Sequence, residues 1–313
     1  MITSEWPSEK NPNQVPFLVE SVNFLEKNNI SFKICRVRTN SIKKIKKSIL
    51  DIIKLIKKEE FNLVHVHWGY NFIYGCFLNL PLVTTYHGSD LNIPKSWTIK
   101  TLLMAFISRI STIYSDHNIF VNSSLCKPAN LNRNKNSIIP MGVNLEKFFP
   151  MDKIACREKL KLPLDKKIIL FGGNISQPVK RFKLAEEACK DLIDDFQLIT
   201  VDYFDYNTIP FFINASDLML VTSFSEGSPM MVKESLACNI PIVATDVGDI
   251  GDLIKGLENC YLIHDISPSS IAGKISKCLN SPIKPNGRDR MRAYYSLDFT
   301  GKKLIDIYNN IAK

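Results

Sequence analysis

Two glutamates, Glu226 and Glu234, stand eight apart where a short apolar run, Leu218 to Val221, gives way to a helical pattern, Pro229 to Cys238. A Ser/Gly loop joins the two, and Ser228 and Pro229 occupy the N-cap and first helical positions expected of a helix start. Such a start aims unsatisfied amides and the positive end of the helix dipole at the loop, which favours a phosphate. Glu226 lies on the loop, and Glu234 about a turn and a half inside the helix, roughly 8 to 9 Å along its axis. That separation suits a nucleotide sugar. With a diphosphate at the helix start, the loop carboxylate accepts sugar hydroxyls and the helical one accepts both ribose hydroxyls. Surface helices also carry many glutamates, so the pair has to be judged in its setting.

The other candidates are a lysine and three histidines. Lys180 opens a helical stretch, Lys180 to Lys190, just beyond the turn Gly172-Gly173-Asn174. His87 follows the strand-like run Leu82 to Tyr86 in a His-Gly-Ser-Asp turn, flanked by Gly88 and Asp90. By itself such a histidine either takes part in chemistry or merely stabilises its turn. His65 and His67 are two apart on a strand, so both rings point to one face, where they line a cleft or hold a metal; the sequence offers no third metal ligand. No D-x-D triplet occurs, so the sequence shows no closely paired aspartates to hold a divalent ion beside a diphosphate. The expectation is therefore no metal and no cofactor, the nucleotide sugar being a substrate.

These groups must be positioned by the elements around them. Strand-like runs cover Phe32 to Val37, Leu63 to Val66, Leu82 to Tyr86, Asn118 to Val121 and Ser137 to Ile139, then Lys167 to Phe171, Gln197 to Val201, Leu218 to Val221, Ile240 to Ala244 and Cys260 to Ile263. Helical patterns lie between them: Val15 to Lys27, Ser41 to Lys58, Trp97 to Tyr114, Lys180 to Lys190, Pro229 to Cys238 and Ile271 to Cys278. This alternation predicts an α/β protein with two doubly wound parallel sheets and a cleft between them, joined by a linker over Gly142 to Asp152. Ligands of such sheets sit beyond the carboxyl ends of the strands, so residues just after strands are where chemistry is expected.

Length and composition bound the function class. The chain has 313 residues, enough for two domains with real cores, and 45% hydrophobic with 23% charged residues excludes a disordered or fibrous chain. No apolar run reaches the roughly 18 residues of a membrane helix, and the first residues lack the features of a secretion signal, so a cytoplasmic location is expected. Eight scattered cysteines without a C-x-x-C pair read as small buried hydrophobes. Residues 1–150 hold 19 basic and 10 acidic groups, net +9, whereas residues 151–313 hold 21 of each. Most of the excess lies on an amphipathic helix over 41–58, where seven lysines flank an isoleucine series. The isoleucines pack on a sheet. The lysines form either a simple solvated face or a contact with anionic head groups, which would make the protein peripheral at the inner face of the membrane. Nucleic acid is not expected as a partner, because no aromatics or base-reading arginines interleave the lysines.

The segment SEGSPMMVKESLACNIPIVATDVGD resembles the E-x7-E segment of retaining, family-4-type glycosyltransferases of the GT-B fold. FNLVHVHWGYNFIYG and LVTTYHGSDL resemble that family's histidine-bearing strand ends, and IIPMGVNLEKFFP its interdomain linker. IILFGGNISQPVKRFKLAEEA resembles the strand, glycine turn and lysine-bearing helix start that open its second domain, and YSLDFTGKKLIDIYNNI the terminal helix that packs back on the first. Three features differ from the family, one being the short interval from Val201 to Ala215, where the family commonly inserts another strand and helix. The first strand is shortened, with no glycine before Gly69, and Asn174 replaces an arginine common after the second glycine turn, leaving Arg181 and Lys183 as nearby cations.

The resemblance implies an acceptor-binding domain over 1–145, a donor-binding domain over 146–295 and a returning helix over 296–313. It implies His87, Glu226 and Lys180 as catalytic groups and Glu234 on the ribose. Gly227, Ser228, Pro229, Met230, Gly173 and Arg181 would complete the donor site, and His65, His67 and Asp90 are the acceptor or cleft candidates. The implied reaction moves a sugar from a nucleoside-diphosphate sugar to a hydroxyl of a lipid-linked or saccharide acceptor, with retention, in surface polysaccharide or glycolipid assembly. A non-catalytic sugar-nucleotide-binding subunit and a GT-B nucleotide-sugar epimerase are the alternatives.

Overall fold

The apolar runs form strands and the longer periodic stretches form helices, arranged as two all-parallel sheets. The computed structural model describes all residues except 38–40, 93–97, 127–134, 191, 193–194, 202–203 and 313. The expected helix start at Trp97 lies outside the described residues. Contacts divide the chain into Met1–Met141 with Thr300–Lys313, and Gly142–Phe299.

The first unit contains β1 (Ile2–Thr3), α1 (Pro16–Lys27), β2 (Cys35–Arg36), α2 (Ile42–Lys58), β3 (Val64–His67), β4 (Leu82–Tyr86), α3 (Ile99–Tyr114), β5 (His117–Phe120) and β6 (Asn136–Ile138). Its sheet order is β2-β1-β3-β4-β5-β6. The second unit contains α4 (Lys153–Leu160), β7 (Lys167–Phe171), α5 (Phe182–Lys190), β8 (Phe196–Ile199), α6 (Ile209–Ala215), β9 (Leu218–Val221), α7 (Met230–Ala237), β10 (Ile242–Thr245), α8 (Ile250–Ile254), β11 (Tyr261–Ile263), α9 (Pro268–Leu279) and α10 (Gly287–Arg290). Its order is β11-β10-β9-β7-β8. The last helix, α11 (Leu297–Ile311), belongs to the first unit from Thr300 onward.

Strand parity sets the layers, because alternate side chains leave opposite faces of a sheet. Ile168, Leu170, Met219, Val221, Ile242 and Ala244 enter one core of the second unit, while Ile169, Phe171, Leu218, Leu220 and Val243 enter the other. In the first unit Val64 and Val66 pack with Ile52 of α2. The opposite face joins Leu25 of α1 and Val83 to Leu304, Ile307 and Tyr308 of α11. Gly301 is required where α11 meets α1, since a Cβ there would lie 2.2 Å from the Phe24 ring. The terminal helix therefore packs on the first unit, as the resemblance implies.

Several expectations need correction. The strand read over Phe32 to Val37 shrinks to Cys35–Arg36, pairing with a first strand of only two residues. The helix expected from Lys180 begins at Phe182, after a single 3-10 turn over Pro178–Lys180. The cysteines are not uniformly buried: Cys156, Cys189, Cys238 and Cys278 are, whereas Cys76 is exposed, and all eight are free thiols.

Helix α3 is turned against the usual rule for amphipathic helices. Its small and polar residues Ala105, Ser108, Ser111 and Thr112 are buried, while Leu103, Phe106, Ile113 and Tyr114 face solvent. Close approach of the inner face explains this orientation. The Ser111 hydroxyl is 2.8 Å from the Tyr86 hydroxyl, and Ser108 lies so near Gly69 that a Cβ on the glycine would meet it at 2.8 Å.

Candidate functional site

In each sheet the strand order reverses at one point, between β1 and β3 in the first and between β7 and β9 in the second. The crevice beyond the carboxyl ends of the strands at such a point is where ligands bind open α/β sheets. In the second unit, β7 runs into Gly172-Gly173-Asn174 and the turn bearing Lys180, and β9 runs into the loop bearing Glu226. The two side chains meet: Lys180 Nζ is 2.6 Å from Glu226 Oε1, both mostly shielded from solvent. A Cβ on Gly173 would lie 2.9 Å from Lys180 Cδ, so this glycine makes room for the lysine stem.

The Glu226 loop is braced from below. Gly248 has φ +63, and a Cβ there would lie 2.5 Å from the Gly227 carbonyl oxygen and 3.1 Å from Glu226 Cβ. Only glycine satisfies both the backbone conformation and the contact. Ser228 donates from Oγ to Asp249 Oδ2 at 2.5 Å. The expected cap is thus displaced by one residue. Pro229 is the N-cap, no side chain caps α7, and Met230 is its first residue, partly buried against the core. The first-turn amides of α7 have no side-chain acceptor from the cap.

Glu234 is 2% exposed and accepts a hydrogen bond from the Tyr206 hydroxyl at 3.0 Å. Beside it Lys233 is fully buried; burial lowers its ammonium to about 8, and the Asp249 and Glu234 carboxylates oppose that fall. Burial pushes the Asp249 carboxyl up, and its Oδ1 has no hydrogen-bond partner among the described residues. Arg181 is committed to structure. It sits in the left-handed region at φ 52 and donates to the carbonyls of Thr222 and Ser223 at 2.6 and 2.9 Å. The Asn174 Oδ1 accepts from the Ser176 amide and hydroxyl. Lys183 is exposed on α5.

The first unit gathers its three candidate histidines. The rings of His65 and His67 lie 4.2 Å apart on the face of β3 that α11 covers. His65 Nδ1 pairs with the Tyr308 hydroxyl at 2.5 Å and Nε2 with Thr85 Oγ1 at 2.7 Å. His67 Nδ1 is 3.0 Å from His87 Nε2, while its own Nε2 is buried without a hydrogen-bond partner among the described residues. Burial pushes His65 down to about 3 and His67 well below its ordinary value, so both are neutral and in each pair one partner donates and the other accepts. Among the described residues no group of three or more His, Cys, Asp or Glu side chains is arranged to hold a metal. Asp90 is a brace: its carboxylate, 1% exposed, accepts from the amides of Gly69, His87 and Gly88 at 2.8 to 3.1 Å and so fixes the turns after β3 and β4.

Sequence reasoning missed Tyr206, Lys233, Gly248, Asp249 and Tyr308. The Val-Gly-Asp turn that contains two of them was visible as a motif. Tyr206 and Tyr308 are reached only through tertiary packing, with no local signal.

Residues 14–147 match the family profile "Glycosyltransferase Family 4", and residues 197–296 match "Glycosyl transferases group 1". This chain belongs to the family-4-type glycosyltransferases. It is 25% identical over 294 residues to TuaC of Bacillus subtilis (strain 168), named as a teichuronic acid biosynthesis glycosyltransferase, covering 84% of this chain and 74% of that one. It is 27% identical over 267 residues to the UDP-Gal:alpha-D-GlcNAc-diphosphoundecaprenol alpha-1,3-galactosyltransferase of Escherichia coli, covering 72% and 68%. Among solved structures, sucrose-phosphate synthase of Thermosynechococcus elongatus superposes with a TM-score of 0.82 at 16% identity, covering 97% and 93% of the two chains. HepE of Anabaena in complex with UDP superposes with a TM-score of 0.77 at 14% identity, covering 99% of each. The architecture is GT-B.

Proposed function

We propose that this glycosyltransferase takes its sugar from a nucleoside-diphosphate donor bound at the switch point of the second sheet, and transfers it to a hydroxyl with retention. The observation that carries the reading is the Lys180–Glu226 pair beside the start of α7, with Glu234 buried farther along the helix. Lys180 and the α7 amides neutralise the diphosphate, Glu226 accepts sugar hydroxyls and Glu234 accepts the ribose hydroxyls. The anomeric carbon–phosphate oxygen bond breaks while the acceptor oxygen bonds to the same face, and the leaving phosphate takes the acceptor's proton. The protein's part is positioning and electrostatics. From the first unit we assign His87 to the chemistry, held by His67 and by the Asp90 brace.

The names of TuaC and of the diphosphoundecaprenol galactosyltransferase support a lipid-linked or saccharide acceptor in surface-polysaccharide assembly, and the exposed lysines of α2 would then meet anionic head groups. No helix among the described residues is long and apolar enough to cross a membrane, so we propose peripheral attachment at the cytoplasmic face. A donor screen tests the function. Purified protein is given UDP-, GDP-, ADP- and CDP-sugars with and without membrane lipid and EDTA, and released nucleoside diphosphate is read. Lipid-stimulated release from one donor, insensitive to EDTA, is expected; no release from any donor rejects the reading.

One observation favours a second reading. Arg181 spends two of its donor nitrogens on backbone carbonyls while Asn174 stands where the family carries an arginine, an arrangement that a donor-binding subunit without turnover would tolerate. Saturable donor binding without release under any condition would select that reading.

A further inference from the structure

The apolar stripe of α3 has the spacing of a core-facing helix, yet among the described residues it is largely exposed. Ile99, Leu103, Phe106, Ile113 and Tyr114 recur at three-, four- and seven-residue steps and are 56–84% exposed. Five large side chains on one exposed stripe exceed the scattered apolar residues of an ordinary surface. Phe77, 73% exposed, follows the 3-10 turn Gly69–Tyr74 that packs against both α3 and α2. Within that turn Phe72 belongs to the core of α2 isoleucines and lies 6.3 Å, ring to ring, from Tyr114 of α3. The apolar stripe and the lysine-rich helix are therefore neighbours on one side of the first sheet.

Charge decides what covers the stripe. Helix α3 carries Lys100 and Arg109 and no acidic residue, and α2 carries seven exposed lysines against the single Asp51. A second copy of this chain would bring a like-charged surface to the contact, and lysine is depleted at protein interfaces. An anionic bilayer complements both parts, with head groups for the lysines and the acyl boundary for the apolar side chains.

We infer that α3 and Phe77 insert into the interfacial layer of an anionic membrane, with α2 lying on the head groups beside them. This builds on the reading of the lysine helix and changes its mechanism from electrostatic contact to apolar insertion. The test is flotation with vesicles of phosphatidylcholine alone or mixed with phosphatidylglycerol, together with calorimetric donor titration of each variant as a control for fold and for the separate donor-site assignment. The wild type should float with phosphatidylglycerol vesicles only. Leu103→Ser with Phe106→Ser should weaken that binding at least about tenfold. Lys43→Gln and Lys47→Gln should each weaken it about fivefold. A Phe106→Trp variant should shift its emission to the blue on the same vesicles. Full binding by the Leu103/Phe106 double variant would overturn insertion. So would absence of wild-type binding to both vesicles, or a dimer in light scattering that the double variant dissolves.

Discussion

The Lys180 ammonium rests 2.6 Å from Glu226 Oε1, so the two charges proposed to receive the donor's diphosphate and sugar neutralise each other without it. Donor binding must exchange this contact for two others: the phosphate replaces the carboxylate on the lysine, and sugar hydroxyls replace the ammonium on the glutamate. Lys180→Ala is expected to lower turnover about 10²- to 10³-fold, the range for losing one group that stabilises developing negative charge. Glu226→Ala should lower kcat/KM comparably. Steady-state kinetics with circular dichroism as a fold control checks both; near-wild-type turnover in both variants removes these residues from the site.

Gly248→Ala is expected to be costly far from any reacting atom. The added Cβ meets the Gly227 carbonyl at 2.5 Å in a backbone conformation with φ +63, and so displaces the Glu226 loop. A loss of about 1 to 3 kcal/mol in unfolding free energy is predicted, with weaker donor binding. Chemical denaturation and calorimetry measure the two effects.

Lys233 makes stability depend on pH in a definite direction. Its folded value of about 8 lies below the ordinary 10.5, so between these values the unfolded chain binds more protons and stability rises with pH. The difference in unfolding free energy between wild type and Lys233→Met should shift in favour of wild type by about 1.4 kcal/mol per pH unit across that window. Taking the difference cancels the buried cysteines, whose raised thiols act oppositely. A difference independent of pH would contradict a buried ammonium at this position.

The paired histidines act at the other end of the scale. Both fold in the neutral form, with His65 at about 3 against an ordinary 6.5. Their stabilisation is complete above pH 6.5 and is lost as pH falls toward the folded values, at about 1.4 kcal/mol per unit for each ring. His65→Gln with His67→Gln should flatten acid unfolding below pH 6.5, as followed by urea titration at several pH values.

Much of this was legible because the strands are short apolar runs and the donor elements are contiguous in the chain. Leu82–Tyr86, Lys167–Phe171 and Leu218–Val221 form strands with the limits their composition predicts. Glu226 and Glu234 lie within one loop and one helix, so eight residues of sequence already set their relation. What stayed hidden depends on packing. Ser228 looks like a cap but bonds to Asp249 across the loop, and Arg181 looks free but is held by two carbonyls. The periodicity of α3 identifies a stripe without saying which way it faces; Gly69 and Tyr86, distant in sequence, draw its serines inward.

The central claim is that the donor binds at the start of α7 between Lys180 and Glu234. Calorimetric titration of the donor selected by the release screen into wild type and into the Lys180→Ala/Glu234→Ala double variant tests it most directly. The account predicts saturable one-site binding to the wild type and a loss of at least about 100-fold in the variant, two charge-assisted contacts at roughly 1.5 kcal/mol or more each. Equal affinity in the two proteins would contradict it.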